Sequence, residues 1–248
     1  MLRPEHRRLL DVACGTGLIS KLLHKVMQSP GRADASGTER LMVGLDLSPA
    51  AMRIFEQDAD AIGVRLLQGA AENVPLQSGS FDLVFLGNAI HNVHDKDGLI
   101  REAARVLRKG GIFVFNTAFF EGTIPPKTFA FYRAAAFKGL RLLKRYPDVK
   151  IRKQDRAEAR QSLTPEAYRE MVTGRGFKVI YMELERIDLP LEAAIDIGSF
   201  ADFASGALPG VPLDVATEII RQAIVETWRE HGQTSLPRNW LHVICERL

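Results

Sequence analysis

Short apolar runs alternate with stretches of helical spacing along most of the chain, a pattern that predicts an α/β sheet. Arg8-Leu9-Leu10-Asp11-Val12-Ala13 predicts a first strand, and the spacing from about Leu18 to Met27 predicts a helix behind it. Ser29 to Arg40 is polar, holds Pro30, Gly31 and Gly37, and predicts a loop. Leu41 to Leu47 predicts a second strand. Ser48-Pro49 then sets a capping side chain before a proline at the first helical position, opening a helix to about Ile62. Val64 to Leu67 predicts a short third strand. Phe81 to Leu86 predicts a fourth, apolar enough to be covered on both faces of a parallel sheet. A helix from about Lys96 to Leu107, closed by Lys109-Gly110-Gly111, leads into a fifth strand at Ile112 to Asn116.

The pattern changes after Phe120. Thr128 to Arg145 reads as helix, and so does Pro165 to Thr173 with Thr164 as its cap. Leu191 to Gly232 is mostly helical, broken at Pro209-Gly210 and Pro212. Phe177 to Glu183 and Trp240 to Glu246 predict strands six and seven. Strand-then-helix alternation requires right-handed crossovers, hence an α/β fold with a doubly wound, seven-stranded, mostly parallel sheet. The expected organisation is a single domain over 1–248, with helical insertions at 121–161 and 190–235, after strands five and six.

Composition changes this picture little. A chain of 248 residues buries a full core without covalent staples. The two cysteines, Cys14 and Cys245, make neither a disulfide framework nor a zinc pattern, so no metal is expected and a reducing, cytoplasmic setting is favoured. Met1 to His6 has no apolar signal-type segment, and no apolar run is long enough to span a bilayer. Charge is more telling in its distribution. Lys127 to Arg160 holds eleven Lys and Arg against three Asp and Glu, while the whole chain is only +3. At ~100° per residue, the basic side chains of 128–145 fall within an arc of roughly 140°, with most Phe, Leu and Ala opposite. Such a face suits an acidic substrate, a nucleic acid or peripheral contact with a membrane surface through 127–160. A solvated helix face is the ordinary alternative. Aromatics do not interleave with these charges in a recognisable RNA-binding motif, which argues against nucleic acid.

The candidate chemistry sits at the strand ends. A glycine turn between a first strand and a helix lets a ligand approach the backbone and meet the helix N-terminal amides. Gly15 and Gly17 suit that role. Asp46 lies at the end of strand two, where a carboxylate can accept both hydroxyls of a ribose. Together they point to an adenosine-containing ligand, against the plain alternative of a tight turn and a surface aspartate. A dinucleotide fingerprint wants a third glycine where Ser20 stands, which disfavours a nicotinamide oxidoreductase.

Leu9-Leu10-Asp11-Val12-Ala13-Cys14-Gly15-Thr16-Gly17 resembles the first motif of class I S-adenosylmethionine-dependent methyltransferases, and Gly44-Leu45-Asp46-Leu47-Ser48 their second. Gln68-Gly69-Ala70-Ala71-Glu72-Asn73-Val74-Pro75, then Gly79-Ser80-Phe81-Asp82, is similar to their third- and fourth-strand region. Glu102 to Gly111 resembles the helix and turn before strand five. The resemblance covers roughly Arg8 to Asn116. It implies a Rossmann-like fold of class I methyltransferase type, S-adenosylmethionine as cofactor, and methyl transfer. It further implies that Asp11, Ala13, Gly15 and Gly17 line the methionine portion, that Asp46 holds the ribose and Leu47 the adenine, that Ala71 and Glu72 lie at the adenine edge, and that Asn88 faces the methionine end. Ala13 replaces the first glycine of the family loop, and Ala70 the usual acid after strand three. Strand one begins close to Met1, so cover over the cofactor is expected from elsewhere, such as 121–161, or not at all.

Methyl transfer to a hydroxyl is helped by a base, and His91, after strand four, is the catalytic candidate, with His94 behind it; both also read as packing residues. Phe119, Phe120, Phe129, Phe131, Tyr132 and Phe137 could wall an apolar pocket or pack the inserted helix, and Trp228 and Trp240 read as core. The expected acceptor is a small apolar or aromatic metabolite. The rival is a protein of this fold that uses the cofactor site for a non-methylating or regulatory role.

Overall fold

The computed structural model describes residues 3, 5–29, 40–58, 63–149 and 162–248. The interior of the 29–40 loop, the end of the helix expected to reach Ile62, and the basic stretch 150–160 lie outside the described residues.

Seven strands form one sheet in the order β3-β2-β1-β4-β5-β7-β6: β1 (Arg8–Val12), β2 (Leu41–Asp46), β3 (Val64–Gln68), β4 (Phe81–Gly87), β5 (Leu107–Thr117), β6 (Phe177–Leu189) and β7 (Leu236–Arg247). The first five run parallel, and β7 pairs antiparallel with β5. The helices are α1 (Leu18–Gln28), α2 (Pro49–Glu56), α3 (Lys96–Val106), α4 (Pro126–Leu143), α5 (Pro165–Thr173), α6 (Leu191–Ser199), α7 (Ala201–Ala207) and α8 (Leu213–Glu230). This is the doubly wound, seven-stranded, mostly parallel sheet that the alternation predicts.

The local devices are legible in the residues. Ser48 caps α2 by accepting from the Ala51 amide, Asp95 caps α3 through the Gly98 amide, and Thr164 caps α5 through the Ala167 amide. β4 is buried along its central residues, as its uninterrupted apolar run requires. β6, at the sheet edge, carries Lys178, Glu183, Glu185, Arg186 and Asp188; such charges oppose edge-to-edge pairing.

Three expectations need correction. α3 ends at Val106, not at a glycine stop near Gly111: Leu107 is already extended and opens β5. Pairing with β4 jumps from Phe81–Leu107 to Leu83–Ile112, so 108–111 form a bulge, and Gly110 supplies its positive φ of 70°. The Arg108 guanidinium anchors the bulge by donating to Asp82 at 2.6 Å. β6 and β7 are longer than their apolar runs, because sheet pairing carries them through polar residues. Finally, the basic and apolar residues of α4 do not segregate. Thr128, Phe131, Ala135, Gly139 and Leu142 form its buried stripe, whereas Phe129, Phe137 and Leu140 are exposed.

Contacts divide the chain into two compact units. The first comprises 1–121, 161–184 and 241–248, with cores on both faces of the sheet. One is built around Leu10, Val84, Phe113, Phe115 and Tyr168, the other around Leu9, Met42, Leu83 and Val114. The second comprises 122–160 and 185–240. Its own core joins Phe131 and Leu142 of α4 to Ala194 of α6 and Ile219, Ile220, Ala223 and Trp228 of α8. Phe131 meets Trp228 edge-on at 6.1 Å between ring centroids. Among the described residues no helix is long and apolar enough to cross a membrane, and no group of three or more His, Cys, Asp or Glu could hold a metal ion.

Candidate functional site

β1 lies between β2 and β4, so the chain reverses direction across the sheet at the carboxyl ends of β1 and β4. Open α/β sheets bind ligands in the crevice at such a point. The sequence places its glycine turn there. Ala13 and Gly15 leave β1 at φ 55° and 56°, and Gly17 begins α1 at φ 84°. Ala13 is a non-glycine residue in the left-handed region, where a Cβ is disfavoured; neighbouring bonds hold the turn. Cys14 donates its amide to the Leu45 carbonyl at 3.0 Å, and Gly17 donates to the Cys14 carbonyl at 2.9 Å.

Asp46 ties the turn to β2. One of its oxygens accepts from the Gly15 amide at 2.7 Å, and the other from the Ser48 amide at 2.8 Å. A carboxylate offers about four acceptor positions, so both oxygens keep capacity for ligand hydroxyls. The two glycines differ in kind. A Cβ at Gly15 would meet nothing within 4 Å, whereas one at Gly17 would come within 2.3 Å of the Phe55 ring. Gly15 therefore opens onto empty space, and Gly17 is a packing contact with α2. α1 has no side-chain cap and no acidic residue in its first turn, although the Ser20 amide is already taken by Asp11, so the amides ahead of Ser20 are the ones that could meet an anionic group. Leu47, beside Asp46, is 67% exposed.

Asp11 sits differently. It is 1% exposed and accepts from the Ser20 hydroxyl at 2.6 Å, fastening β1 to α1 beneath the turn. Burial pushes its carboxyl up to about 7. The Ser20 hydrogen bonds oppose that rise, and the charge of Asp46 adds to it. Burial, helped by the same two carboxylates, pushes the Cys14 thiol up to about 12, which leaves it unreactive. Residues Asp11, Ala13, Gly15, Gly17, Asp46 and Leu47 thus gather at the ends of β1 and β2.

The other candidates lie along the same strand ends. Asn88, at φ 47°, clamps β4 to β5: its amide donates to Asn116 Oδ1, and its own Oδ1 accepts from the Ala118 amide, each at 2.8 Å. Ala71 packs against the core, and Glu72 is exposed, with its Cβ close to Gly98 at the start of α3. His91 is 6% exposed, stacks on Phe119 at 4.1 Å between centroids and has Nδ1 3.4 Å from the Thr117 hydroxyl. His94 is exposed. The aromatic wall expected of residues 119–137 does not form as a set. Phe120 belongs to the first unit's core and Phe131 to the second's, while Phe129 and Phe137 point outward.

One functional group of contacts escaped sequence reasoning. Arg105 of α3 donates to Glu102 and to the carbonyls of Val74 and Leu76, while Glu102 accepts from the Val74 amide. The pair pins the 74–78 loop that follows Ala71 and Glu72. The three-residue spacing on a predicted helix is a detectable ion-pair signal, but its carbonyl partners are not.

A family model described as a methyltransferase domain matches residues 10–115, the stretch that contains the ends of β1, β2 and β4. Residues 10–115 of the chain are thus similar to a methyltransferase domain, and the seven-stranded sheet has the class I methyltransferase fold. Its relatives agree over that part. A demethylmenaquinone methyltransferase of Geobacillus stearothermophilus is 35% identical over 111 residues, which cover 44% of this chain and 44% of that protein. The Lactiplantibacillus plantarum demethylmenaquinone methyltransferase is 32% identical over 112 residues, covering 43% of each. The chain thus spans less than half the length of the curated relatives it matches. At the level of fold the likeness extends further. An S-adenosylmethionine-dependent methyltransferase from Mesorhizobium loti superposes with a TM-score of 0.53 at 17% identity, covering 100% of this chain and 94% of that one. The [4+2]-cyclase SpnF superposes with a TM-score of 0.55 at 16% identity, covering 98% and 75%. A shared fold does not fix the reaction.

Proposed function

We propose that this chain binds S-adenosylmethionine at the β1–β2 strand ends and transfers its methyl group to a small apolar or aromatic metabolite. The observation that carries the reading is the pairing of an open Gly15 with Asp46, whose carboxylate braces the turn and keeps acceptor capacity on both oxygens. In this reading Asp46 takes the ribose hydroxyls, exposed Leu47 lies against the adenine with Ala71 and Glu72 at its edge, and the α1 amides ahead of Ser20 meet the methionine carboxylate. Ala13, Gly15 and Gly17 shape that wall. Asp11 is a positioning residue that holds the turn from below, and Asn88 sets the far end by fixing β4 to β5. Bound S-adenosylmethionine supplies an already activated methyl group, so the chain's contribution is chiefly orientation and proximity.

His91 is the candidate base for a hydroxyl acceptor. Its burial and its stacking on Phe119 equally support a packing part. His91→Gln separates the two: loss of a base lowers kcat and removes an acidic limb from the pH profile, while loss of packing lowers the melting temperature alone.

Calorimetry with S-adenosylmethionine tests the site. The wild-type chain is expected to bind, and Asp46→Asn to bind about 10- to 100-fold more weakly, the worth of one or two charge-assisted hydrogen bonds. No binding by the wild type would sink the reading. For the acceptor, demethylmenaquinone, on which the two relatives act by name, is the first compound to assay with labelled methyl donor. The family match ends at residue 115, so a wider panel of aromatic acceptors belongs in the same assay. Binding without labelled product across that panel would favour the non-methylating alternative.

A further inference from the structure

We infer that the outward face of α4 docks on an anionic lipid surface. α4 (Pro126–Leu143) has 18 residues and not one Asp or Glu among them. Its buried stripe sits on α8, where a Cβ at Gly139 would meet Ile219 and Ala223 at 3.6 and 3.9 Å. Lys138 is turned along that side and pairs with Glu226 and Glu230 of α8. On the opposite face Arg141 is also within electrostatic reach of Glu230. At ~100° per residue, Phe129, Arg133, Phe137, Leu140 and Arg141 lie within about 120° of one another, and Lys144, the residue that closes the helix, continues the row. All are exposed: Phe137 by 60%, Phe129 by 58% and Leu140 by 44%. Arg133 and Lys144 form no ion pair with any described residue.

A solvated helix face does not place two phenylalanines and a leucine among its cations; their apolar area would stay in water at a cost. A face that mixes large apolar side chains with basic ones is matched by a surface that is anionic outside and apolar beneath. There the rings enter the headgroup boundary, and the long arginine and lysine side chains reach the lipid phosphates. α4 is not apolar enough to cross a bilayer, so it would lie in the plane of the interface. A single-stranded nucleic acid is matched less well, because Leu140 offers no stacking surface and the rings are spaced two helical turns apart rather than forming a platform. The inference stands apart from the methyl-transfer reading, since its readout is lipid binding and not turnover.

Co-sedimentation of the full chain with vesicles tests it. Vesicles of phosphatidylcholine with 30% phosphatidylglycerol are expected to retain the protein at least tenfold better than phosphatidylcholine alone, and raising the salt should reduce retention. Each basic residue at such a surface contributes about fivefold, so Arg133→Gln with Arg141→Gln should weaken binding about 20-fold. Phe129→Ser with Phe137→Ser, charges intact, should weaken it about tenfold at low salt. The four side chains are exposed, and an unchanged thermal melt verifies that each variant is folded. Failure to bind the anionic vesicles overturns the proposal. So does a double-phenylalanine variant that binds like wild type, or a single-stranded RNA oligomer that binds more tightly than the vesicles.

Discussion

Asp11→Asn turns the buried carboxylate beneath the glycine turn into a measurable quantity. Asp11 is 1% exposed, and burial raises its carboxyl from 3.8 to about 7. That displacement corresponds to about 4 kcal/mol of preference for the protonated form in the folded chain. Because the folded-state value lies above the unfolded one, the native chain holds the proton between about pH 4 and pH 7, where the unfolded chain has already released it. The stabilising contribution is thus complete below pH 4 and lost as pH rises through 7. Asparagine has the same shape and is neutral throughout, and its amide can keep a hydrogen bond to Ser20. Any fixed difference from exchanging that bond is independent of pH. Guanidinium denaturation of both proteins at pH 4.5, 6, 7 and 8.5, at constant ionic strength, isolates the effect. The variant's stability relative to wild type is expected to rise by about 2–4 kcal/mol across this range and to level off above pH 8. A difference that stays flat, or moves in wild type's favour as pH rises, would refute the reasoning that burial dominates at Asp11.

Four further substitutions separate packing from ligand contact. Gly17→Ala combines a positive φ with a Cβ 2.3 Å from the Phe55 ring, and should cost about 2–4 kcal/mol by thermal or chemical denaturation. Gly15→Ala, with open space at the same point, should cost only about 1 kcal/mol yet weaken S-adenosylmethionine binding in calorimetry; equal stability losses at the two glycines would contradict the distinction drawn here. Arg105→Ala releases Val74 and Leu76 and should cost about 2–3 kcal/mol, with hydrogen exchange accelerated first at residues 74–78. Asn88→Ala removes the acceptor of the Ala118 amide and places an alanine at positive φ. A loss of about 2–3 kcal/mol by denaturation is expected, and wild-type stability in that variant would show the clamp to be dispensable.

The strands β1 to β4 and the glycine turn were legible for a physical reason. Strands buried on both faces write themselves as apolar runs, and a ligand-binding turn demands glycines at fixed places. Ser48-Pro49 and Thr164-Pro165 mark their helices because capping is local chemistry. What was not legible depends on partners remote in sequence. Gly110 and Gly111 look like a helix stop, but serve a bulge set by pairing with β4. Leu107, read as the last helical residue, is the first residue of β5. Gly15 and Gly17 look alike in sequence, and only the distance to Phe55 tells the open glycine from the packed one. On α4 the helical wheel grouped Lys138 with the other basic residues, whereas that side chain turns to Glu226 and Glu230 of α8. The wheel could not place Phe129 and Phe137, because which arc is buried depends on where α8 lies. Asp11, grouped with the methionine contacts by resemblance, lies beneath the turn with its carboxylate on Ser20, a placement set by the packing of α1 on β1 and not by its position in the motif.

The strand order also sets a timetable for synthesis. β5 is paired on one side by β4, which precedes it, and on the other by β7, which begins only at Leu236. β6 joins the sheet only through β7. At ribosomal speeds of about 5–20 residues per second, the free edge of β5 waits on the order of ten seconds for its neighbour. During that interval an apolar strand displays unpaired amides and carbonyls, the template for pairing with another nascent chain. A chain stalled or cut before residue 236 would leave β6 without a neighbour and β5 with an open edge, and its fate would be the business of chaperones and proteases.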